Sequence, residues 1–155
     1  MEKDNLIKEF KNHIDITIKL LNTKKFNKAI SNVTPLIKKF PRAIILYNIL
    51  GLSYNAINKP HKALDVLEYA LKLDTKNINV LNNLGLIHSQ LFNYKISENY
   101  LKQALEINPE FLDASLNLAK IRFNAFNTDE GINILQKIYE KNTNNYDINL
   151  TLANI

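Results

Sequence analysis

The chain has 155 residues, of which 46% are hydrophobic and 23% charged, so it can bury an ordinary core and is not a disordered chain. Only three glycines and four prolines are present, which disfavours a loop-rich β fold, and the lack of cysteine excludes disulfides and cysteine-based metal sites. The N-terminus lacks the apolar stretch of a signal peptide, and no apolar run has the length of a membrane span. We therefore expect a cytoplasmic protein without a membrane partner.

The net charge of +5 is concentrated at one end of the chain. Residues 1–43 hold ten Lys or Arg and four Asp or Glu, a net charge of +6. Such an end can attract nucleic acid or another anionic surface, or it can be the solvated side of a terminal helix pair. Nine of the ten cations are lysines, whereas arginine is preferred for bidentate phosphate contacts, so no nucleic-acid partner is expected.

Apolar residues recur every three or four positions along the chain, which predicts a series of amphipathic helices. The first covers residues 5–22, and the second begins at Phe26 and closes at Phe40-Pro41. Pro35 lies inside the second helix, where it removes one backbone hydrogen bond at a cost of about 3 kcal/mol. Because the apolar spacing resumes beyond it, we expect a kink and not an end. The remaining predicted helices cover residues 44–57, 60–73, 78–91, 94–107, 112–125, 128–141 and 146–155.

One stretch of eight residues recurs after 34 positions. Residues 47–54 are Tyr-Asn-Ile-Leu-Gly-Leu-Ser-Tyr, and residues 81–88 are Leu-Asn-Asn-Leu-Gly-Leu-Ile-His. A fixed period of this length is typical of a repeat array. The chain is therefore predicted to be a single array, with repeats at about residues 10–43, 44–77, 78–111 and 112–145 and the start of a fifth at 146–155.

The predicted helix pairs resemble the tetratricopeptide repeat, a 34-residue helix–turn–helix unit with a W-x2-L-G-x2-Y…A-x3-F…P pattern. The residues of the second unit that match this pattern are Tyr47, Leu50, Gly51, Tyr54, Ala63, Leu67 and Ala70. The third unit follows it with Ser97 in place of the first alanine. The resemblance covers nearly the whole chain and implies an all-α fold, a right-handed α-solenoid of stacked antiparallel helix pairs with about four repeats and a terminal helix.

In this family the groove-facing residues lie on the first helix of each repeat, near the glycine. The resemblance therefore implies a peptide-binding groove lined by Asn48, Asn55, Asn82, Asn83, Asn117, Lys120 and Asn124. A carboxamide donates and accepts hydrogen bonds, so it can pair with any peptide backbone, and the row looks like the asparagine ladder of O-linked N-acetylglucosamine transferases. The alternative is a polar wall that reflects composition, since Asn accounts for 24 residues. The family's carboxylate clamp is not expected, because Ile14 and Ile18 occupy its lysine positions.

The residues that usually carry catalysis form no recognisable constellation. His13, His61 and His88 lack metal-ligand spacing, and His88 occupies the position of Tyr54, where a core or half-buried histidine is expected. The three glycines are spread one per repeat, so there is no glycine-rich phosphate loop. We predict that the chain given is not an enzyme and has no cofactor or metal.

These features predict a non-catalytic scaffold that binds an extended peptide or a partner helix in its groove. The alternative is the recognition arm of a larger transferase with a catalytic domain beyond residue 155, because such arrays resemble the N-terminal arms of bacterial tetratricopeptide-linked sulfotransferases and glycosyltransferases. A third hypothesis is self-association through the last helix, since residues 146–155 are a half-repeat without a polar cap.

Overall fold

Helices joined by short turns make up the structure. The computed structural model describes residues 2–126 and 128–141, except for the side chains of residues 2–4, 124, 126, 128, 130 and 141. The helices are α1 (Glu2–Asn22), α2 (Phe26–Lys39), α3 (Ile44–Ala56), α4 (Pro60–Leu73), α5 (Ile78–Gln90), α6 (Tyr94–Ile107), α7 (Leu112–Ile121), a π-helical segment (Arg122–Phe126) and α8 (Thr128–Lys141). The predicted all-α fold of paired helices, the α-solenoid class, is confirmed. None of the described helices combines the length and the apolar character needed to cross a membrane.

The helix ends follow the sequence closely, with one correction. The bounds of α4, α6 and α8 are those predicted, and α2 continues through Pro35 as expected, while the kink there stays a prediction. The prediction of an α-helix over residues 112–125 was wrong for residues 122–125, because α7 ends at Ile121 and the π segment follows. The predicted helix at 146–155 lies outside the described residues.

The chain divides into two compact units at the boundary between Thr75 and Lys76. In the first unit α2 contacts α1 and α3, and α3 contacts α4; in the second unit α6 contacts α5 and α7, and α7 contacts α8. Among the described residues each unit therefore contains two helix pairs, and the prediction of one continuous array stays a prediction. The core of the first unit includes Ile14, Val33, Leu36, Leu46, Ile49 and Leu50. One core cluster of the second unit consists of Leu116, Ala119, Leu135 and Ile138.

Close approach of the two helices within a repeat depends on the residue at one position of the first helix. We call this position the glycine slot. A Cβ atom added to Gly51 would lie 2.6 Å from Cγ of Leu67, and one added to Gly85 would lie 2.7 Å from Cγ of Leu101. Both distances are far below van der Waals contact, so these two leucines fill the space that the missing side chains leave. The glycine slots of the four repeats are occupied by Thr17, Gly51, Gly85 and Ala119.

The fourth repeat achieves the same approach with the small residue on the other helix. Its glycine slot holds Ala119, and glycine appears instead at Gly131 on α8. A Cβ atom on Gly131 would lie 2.7 Å from the backbone nitrogen of Phe123 and 2.9 Å from the carbonyl oxygen of Ala119. Because the opposing atoms belong to the backbone, α8 can lie against the π segment only while residue 131 has no side chain.

The first repeat is held by polar contacts between α1 and α2. The fully buried Thr17 hydroxyl donates to the carbonyl of His13 at 2.6 Å and accepts from Nδ2 of Asn32 at 2.7 Å. Farther along the pair, Nζ of Lys39 lies 2.9 Å from a carboxylate oxygen of Glu9, and this contact holds the pKa of Glu9 below its usual value. The buried hydroxyl of Thr17 therefore has hydrogen-bond partners at the position where the other repeats have glycine or alanine.

The turns inside the first three repeats use the left-handed backbone region at one recurring position. Lys24, Asn58 and Phe92 lie 34 residues apart and have φ angles of 55°, 58° and 61°. Asparagine tolerates this conformation, whereas a lysine or a phenylalanine adopts it at a cost of about 1–2 kcal/mol. The turn geometry is therefore imposed by the packing of the helix pairs and not by the residue at the turn.

Candidate peptide-binding surface

The first helices of successive repeats lie side by side within each unit. In the first unit α1 contacts α3, and in the second unit α5 contacts α7. Asn48 and Asn55 lie on α3 and are half-buried. In each unit, side chains from two neighbouring first helices can therefore contribute to one surface.

The second unit carries most of the predicted groove residues. Asn83 on α5 and Asn117 on α7 are half-buried, Lys120 on α7 is exposed, and Asn82 on α5 is buried at 7% exposure. Asn124 falls in the π segment, and its side chain lies outside the described residues. The structure thus brings predicted groove residues of α5 and α7 together, on two helices that contact each other.

Two of these asparagines are bonded to each other across the repeat boundary. Nδ2 of Asn117 donates to Oδ1 of Asn82 at 3.0 Å. The bond joins α5 to α7 and satisfies an acceptor on a buried side chain. It also orients the Asn117 carboxamide, because an amide whose nitrogen faces Asn82 directs its oxygen away from that partner. The 34-residue spacing of the repeat indicated that both residues lie on first helices, but not that they pair.

Apolar side chains accompany the amides on the same helices. Leu52 on α3, Leu86 on α5 and Phe123 in the π segment are each half-buried. Leu52 and Leu86 directly follow the glycine slot of their repeats. Each is four residues after an asparagine, Asn48 or Asn82, and therefore lies one helical turn from it on the same face. A polypeptide bound at these helices would therefore meet hydrogen-bonding groups and apolar area together.

The cations of the fourth repeat differ in their surroundings. Arg122 forms an ion pair with Glu98 of α6, and the same carboxylate lies 2.6 Å from Nζ of Lys102. The charge of Arg122 is therefore compensated inside the protein, whereas Lys120 is exposed. In the first repeat Ile14 is buried and Ile18 is 42% exposed at the positions where a carboxylate clamp has lysines. The sequence did not predict Glu98 as the partner of Arg122, because the two residues are 24 positions apart.

Two of the three histidines contact neighbouring side chains, and the third, His61, is exposed. His88 is 8% exposed and its ring stacks on Tyr100 with 5.7 Å between the ring centroids, as expected for a core histidine. His13 Nδ1 lies 3.1 Å from Oδ1 of Asn32. Within residues 2–126 and 128–141, no group of three or more His, Asp or Glu is placed to hold a metal ion.

This architecture, in which pairs of helices recur every 34 residues, defines a helical-repeat protein. Residues 78–111 match the family model described as tetratricopeptide repeat, and these residues form α5 and α6 with their turns. The third repeat is therefore a tetratricopeptide repeat, and the chain has the fold of tetratricopeptide-repeat proteins. No curated protein sequence matches the chain.

Solved structures with this fold cover between 70% and 93% of the chain in the three examples below. A tetratricopeptide-repeat protein of Thermus thermophilus superposes with a TM-score of 0.85 at 22% identity, covering 92% of this chain and 78% of its own. PilF of Pseudomonas aeruginosa superposes with a TM-score of 0.81 at 19% identity, covering 93% of this chain and 66% of its own. The first such domain of Spaghetti, solved with an HSP90 peptide, has a TM-score of 0.66 at 19% identity and covers 70% of this chain and 86% of its own.

Proposed function

We propose that the chain is a non-catalytic protein-interaction scaffold that holds an extended peptide or a partner helix against its first helices. The observation that carries this proposal is the arrangement of α5 and α7, which contact each other and present Asn83, Asn117 and Lys120 from neighbouring repeats. The Spaghetti domain supports the proposal, because it has the same fold and was solved with a bound HSP90 peptide.

The amides supply contacts that do not depend on the sequence of the ligand. A carboxamide can accept from a peptide N–H and donate to a peptide C=O. Asn117, held by Asn82 through its nitrogen, is oriented to offer its oxygen as the acceptor. Each such hydrogen bond contributes about 0.5–1.5 kcal/mol net, so useful affinity requires several along the surface.

The apolar residues supply the remaining affinity. Leu86 and Phe123 are half-buried, so part of each side chain is open to a ligand and part packs inside the repeat. Burial of apolar surface is worth about 25 cal/mol per Å², so covering these two side chains adds to the amide contacts. The preferred ligand is therefore a peptide with backbone groups available for hydrogen bonding and with apolar side chains at intervals.

Selection of peptides from a random library on the intact chain, followed by affinity measurement, tests this function. Asn83→Ala should lower the affinity for the best peptide by about two- to tenfold, which corresponds to one lost hydrogen bond. Asn99→Ala is the matched control, because Asn99 is an exposed asparagine on the second helix α6. Equal affinities of both variants and the parent chain for every selected peptide would contradict the proposal.

Several sequence-based expectations stay predictions beside this proposal. The transferase-arm hypothesis is tested by determining whether the reading frame continues past Ile155 into a catalytic domain. Self-association through the last helix predicts a mass that rises with concentration in light scattering. The cytoplasmic location is tested by fractionation of cells that express the chain.

A further inference from the structure

Residues 16–64 contain eight lysines and one arginine but no aspartate or glutamate. All nine cations are exposed. Lys39 is paired with Glu9, which lies outside this stretch. A continuous part of the first unit therefore presents positive charge without internal compensation along the sequence.

Five of these lysines cluster at the two turns inside the repeats of the first unit. Lys24, Lys25 and Lys28 lie at the α1–α2 turn, and Lys59 and Lys62 lie at the α3–α4 turn. Since α1 contacts α3 and both turns occupy the same repeat position, the two turns lie at the same edge of the unit. We call these five residues the basic edge. Within the described part of the chain none of the five forms an ion pair, and Lys62 lies over the ring of Tyr54 at 5.9 Å.

The fold does not require lysine at these positions. Lys25 and Lys59 are the N-cap residues of α2 and α4, neither cap has a side-chain hydrogen bond, and no acidic residue lies in either first turn. Cations at a helix N-terminus oppose the helix dipole, so local electrostatics favours acidic residues there. The third repeat makes the same turn with Asn93 and Ile96 at the positions of Lys59 and Lys62. The basic edge is therefore a surface property of the first unit and not a feature of the repeat.

We propose that the basic edge binds an acidic segment of a partner polypeptide. The charge of the edge is complementary to a run of carboxylates, and its flexible lysines adapt to carboxylates that are not held in a fixed geometry. The edge contains no arginine, the residue suited to bidentate phosphate contacts, which disfavours nucleic acid as the ligand. The large exposed hydrophobic residues of the first unit lie outside residues 19–28 and 56–62, so this edge lacks the exposed apolar side chains that insert into a membrane. This surface is distinct from the first-helix surface proposed above.

The test measures binding of a fluorescein-labelled peptide of ten glutamates to the intact chain by fluorescence anisotropy. The edge variant carries Lys25→Glu, Lys28→Glu and Lys59→Glu, while the control carries Lys11→Glu, Lys72→Glu and Lys137→Glu. All six residues are exposed, and both variants change the net charge from +5 to −1. Lys24 is left in place because of its positive φ. Circular dichroism confirms that both variants fold.

The proposal predicts binding in 50 mM salt that weakens at least fivefold in 300 mM salt, because exposed charge pairs are screened. The edge variant should bind roughly tenfold or more weakly, and the control less than threefold, as expected when three local charge pairs are lost. Equal losses in the two variants would show an effect of net charge alone and overturn the proposal. Failure of the parent chain to bind the peptide would also overturn it. The chain is also tested with phosphatidylserine vesicles and with a thymidine oligonucleotide. If it bound either of them more tightly than the glutamate peptide, and the edge variant did not, an acidic polypeptide would be the wrong ligand.

Discussion

At the scale of single residues, a hydrogen atom in place of a side chain decides how closely two helices pack. The atoms nearest to a Cβ on Gly85 belong to the buried side chain of Leu101, and the carbonyl oxygen of Ser97 lies 3.3 Å away, whereas a Cβ on Gly131 would meet backbone atoms of Phe123 and Ala119 at 2.7–2.9 Å. A flexible side chain can yield by a few tenths of an ångström, but a helix backbone moves only as a unit. The two glycines therefore differ in how much a methyl group would cost.

Gly131→Ala should lower the free energy of unfolding by about 2 kcal/mol, because an overpacking cost of about 3 kcal/mol exceeds the roughly 1 kcal/mol that alanine gains as a helix former. Gly85→Ala should cost about 1 kcal/mol less, because Leu101 can adjust. Urea unfolding of the full chain measures both values. The first repeat suggests a control, since it combines Thr17 in its glycine slot with the smaller Val33 at the position of Leu101. Adding Leu101→Val to Gly85→Ala should therefore cost less than the two single changes added together, and strict additivity would contradict the packing account.

Tyr47 makes stability depend on pH at the alkaline end. Its side chain is 7% exposed, and its hydroxyl donates to the carbonyl of Pro41 at 2.7 Å. Burial, with a contribution from the neighbouring Tyr69, raises the pKa of Tyr47 above its ordinary value of 10.0. Since the folded state favours the neutral phenol, this contribution to stability is complete below pH 10 and is lost as the pH rises through the raised pKa.

Unfolding free energies of the parent chain and of Tyr47→Phe, measured in urea between pH 7 and pH 11, test this effect. At pH 7 the variant should lose about 0.5–1.5 kcal/mol with the hydrogen bond to Pro41. Above pH 10 the parent should lose stability more steeply than the variant, so the difference between them narrows. Parallel curves over the whole range would contradict the assignment to Tyr47.

At the scale of the helices, the bond between Asn82 and Asn117 links two successive first helices in the second unit. Asn82 is buried and its acceptor is satisfied by Asn117. Removing the donor leaves the Asn82 oxygen unpaired in a site that water reaches poorly, and such a loss costs more than the bond itself contributes. The same two residues thus serve the repeat interface, whatever Asn117 offers to a ligand.

Asn117→Ala should destabilise the chain by about 1–3 kcal/mol, as judged by the urea midpoint at constant slope. Replacing both residues by leucine should recover part of that loss, because no unpaired polar group remains. Asn99→Ala, at an exposed position, should stay within about 0.5 kcal/mol of the parent. An unchanged midpoint for Asn117→Ala would show that the pair does not hold α5 to α7.

The helix ends illustrate what periodicity can predict. Pro60 begins α4 because a proline is favoured in the first turn, and the apolar spacing carries α2 through Pro35. The π segment could not be predicted in this way, because the sequence keeps its apolar spacing through Arg122–Phe126 while the backbone there changes form. The packing of Gly131 against Phe123 involves residues from two different helices, and a periodic pattern within one helix carries no such information.

At the scale of the whole chain, the repeat pattern predicted the fold and the helices that carry the candidate site. It placed Asn83 and Asn117 on first helices, because positions 34 residues apart fall on equivalent faces. It could not predict which asparagines bond to each other or that Arg122 is neutralised by Glu98, since these contacts depend on side-chain directions between repeats. Repeats that stack on their neighbours distribute a binding surface over several helices. Each single substitution should therefore lower the affinity for a ligand only by a small factor.

The most direct test of the proposed function is a two-dimensional ¹⁵N NMR titration of the chain with a selected peptide, observing the side-chain amide groups of asparagine. The account predicts that the NH₂ signals of Asn83 and Asn117 shift with the peptide concentration, while that of Asn99 on α6 does not. Shifts confined to residues of α4 and α6, with the signals of Asn83 and Asn117 unchanged at saturation, would contradict binding at the first helices.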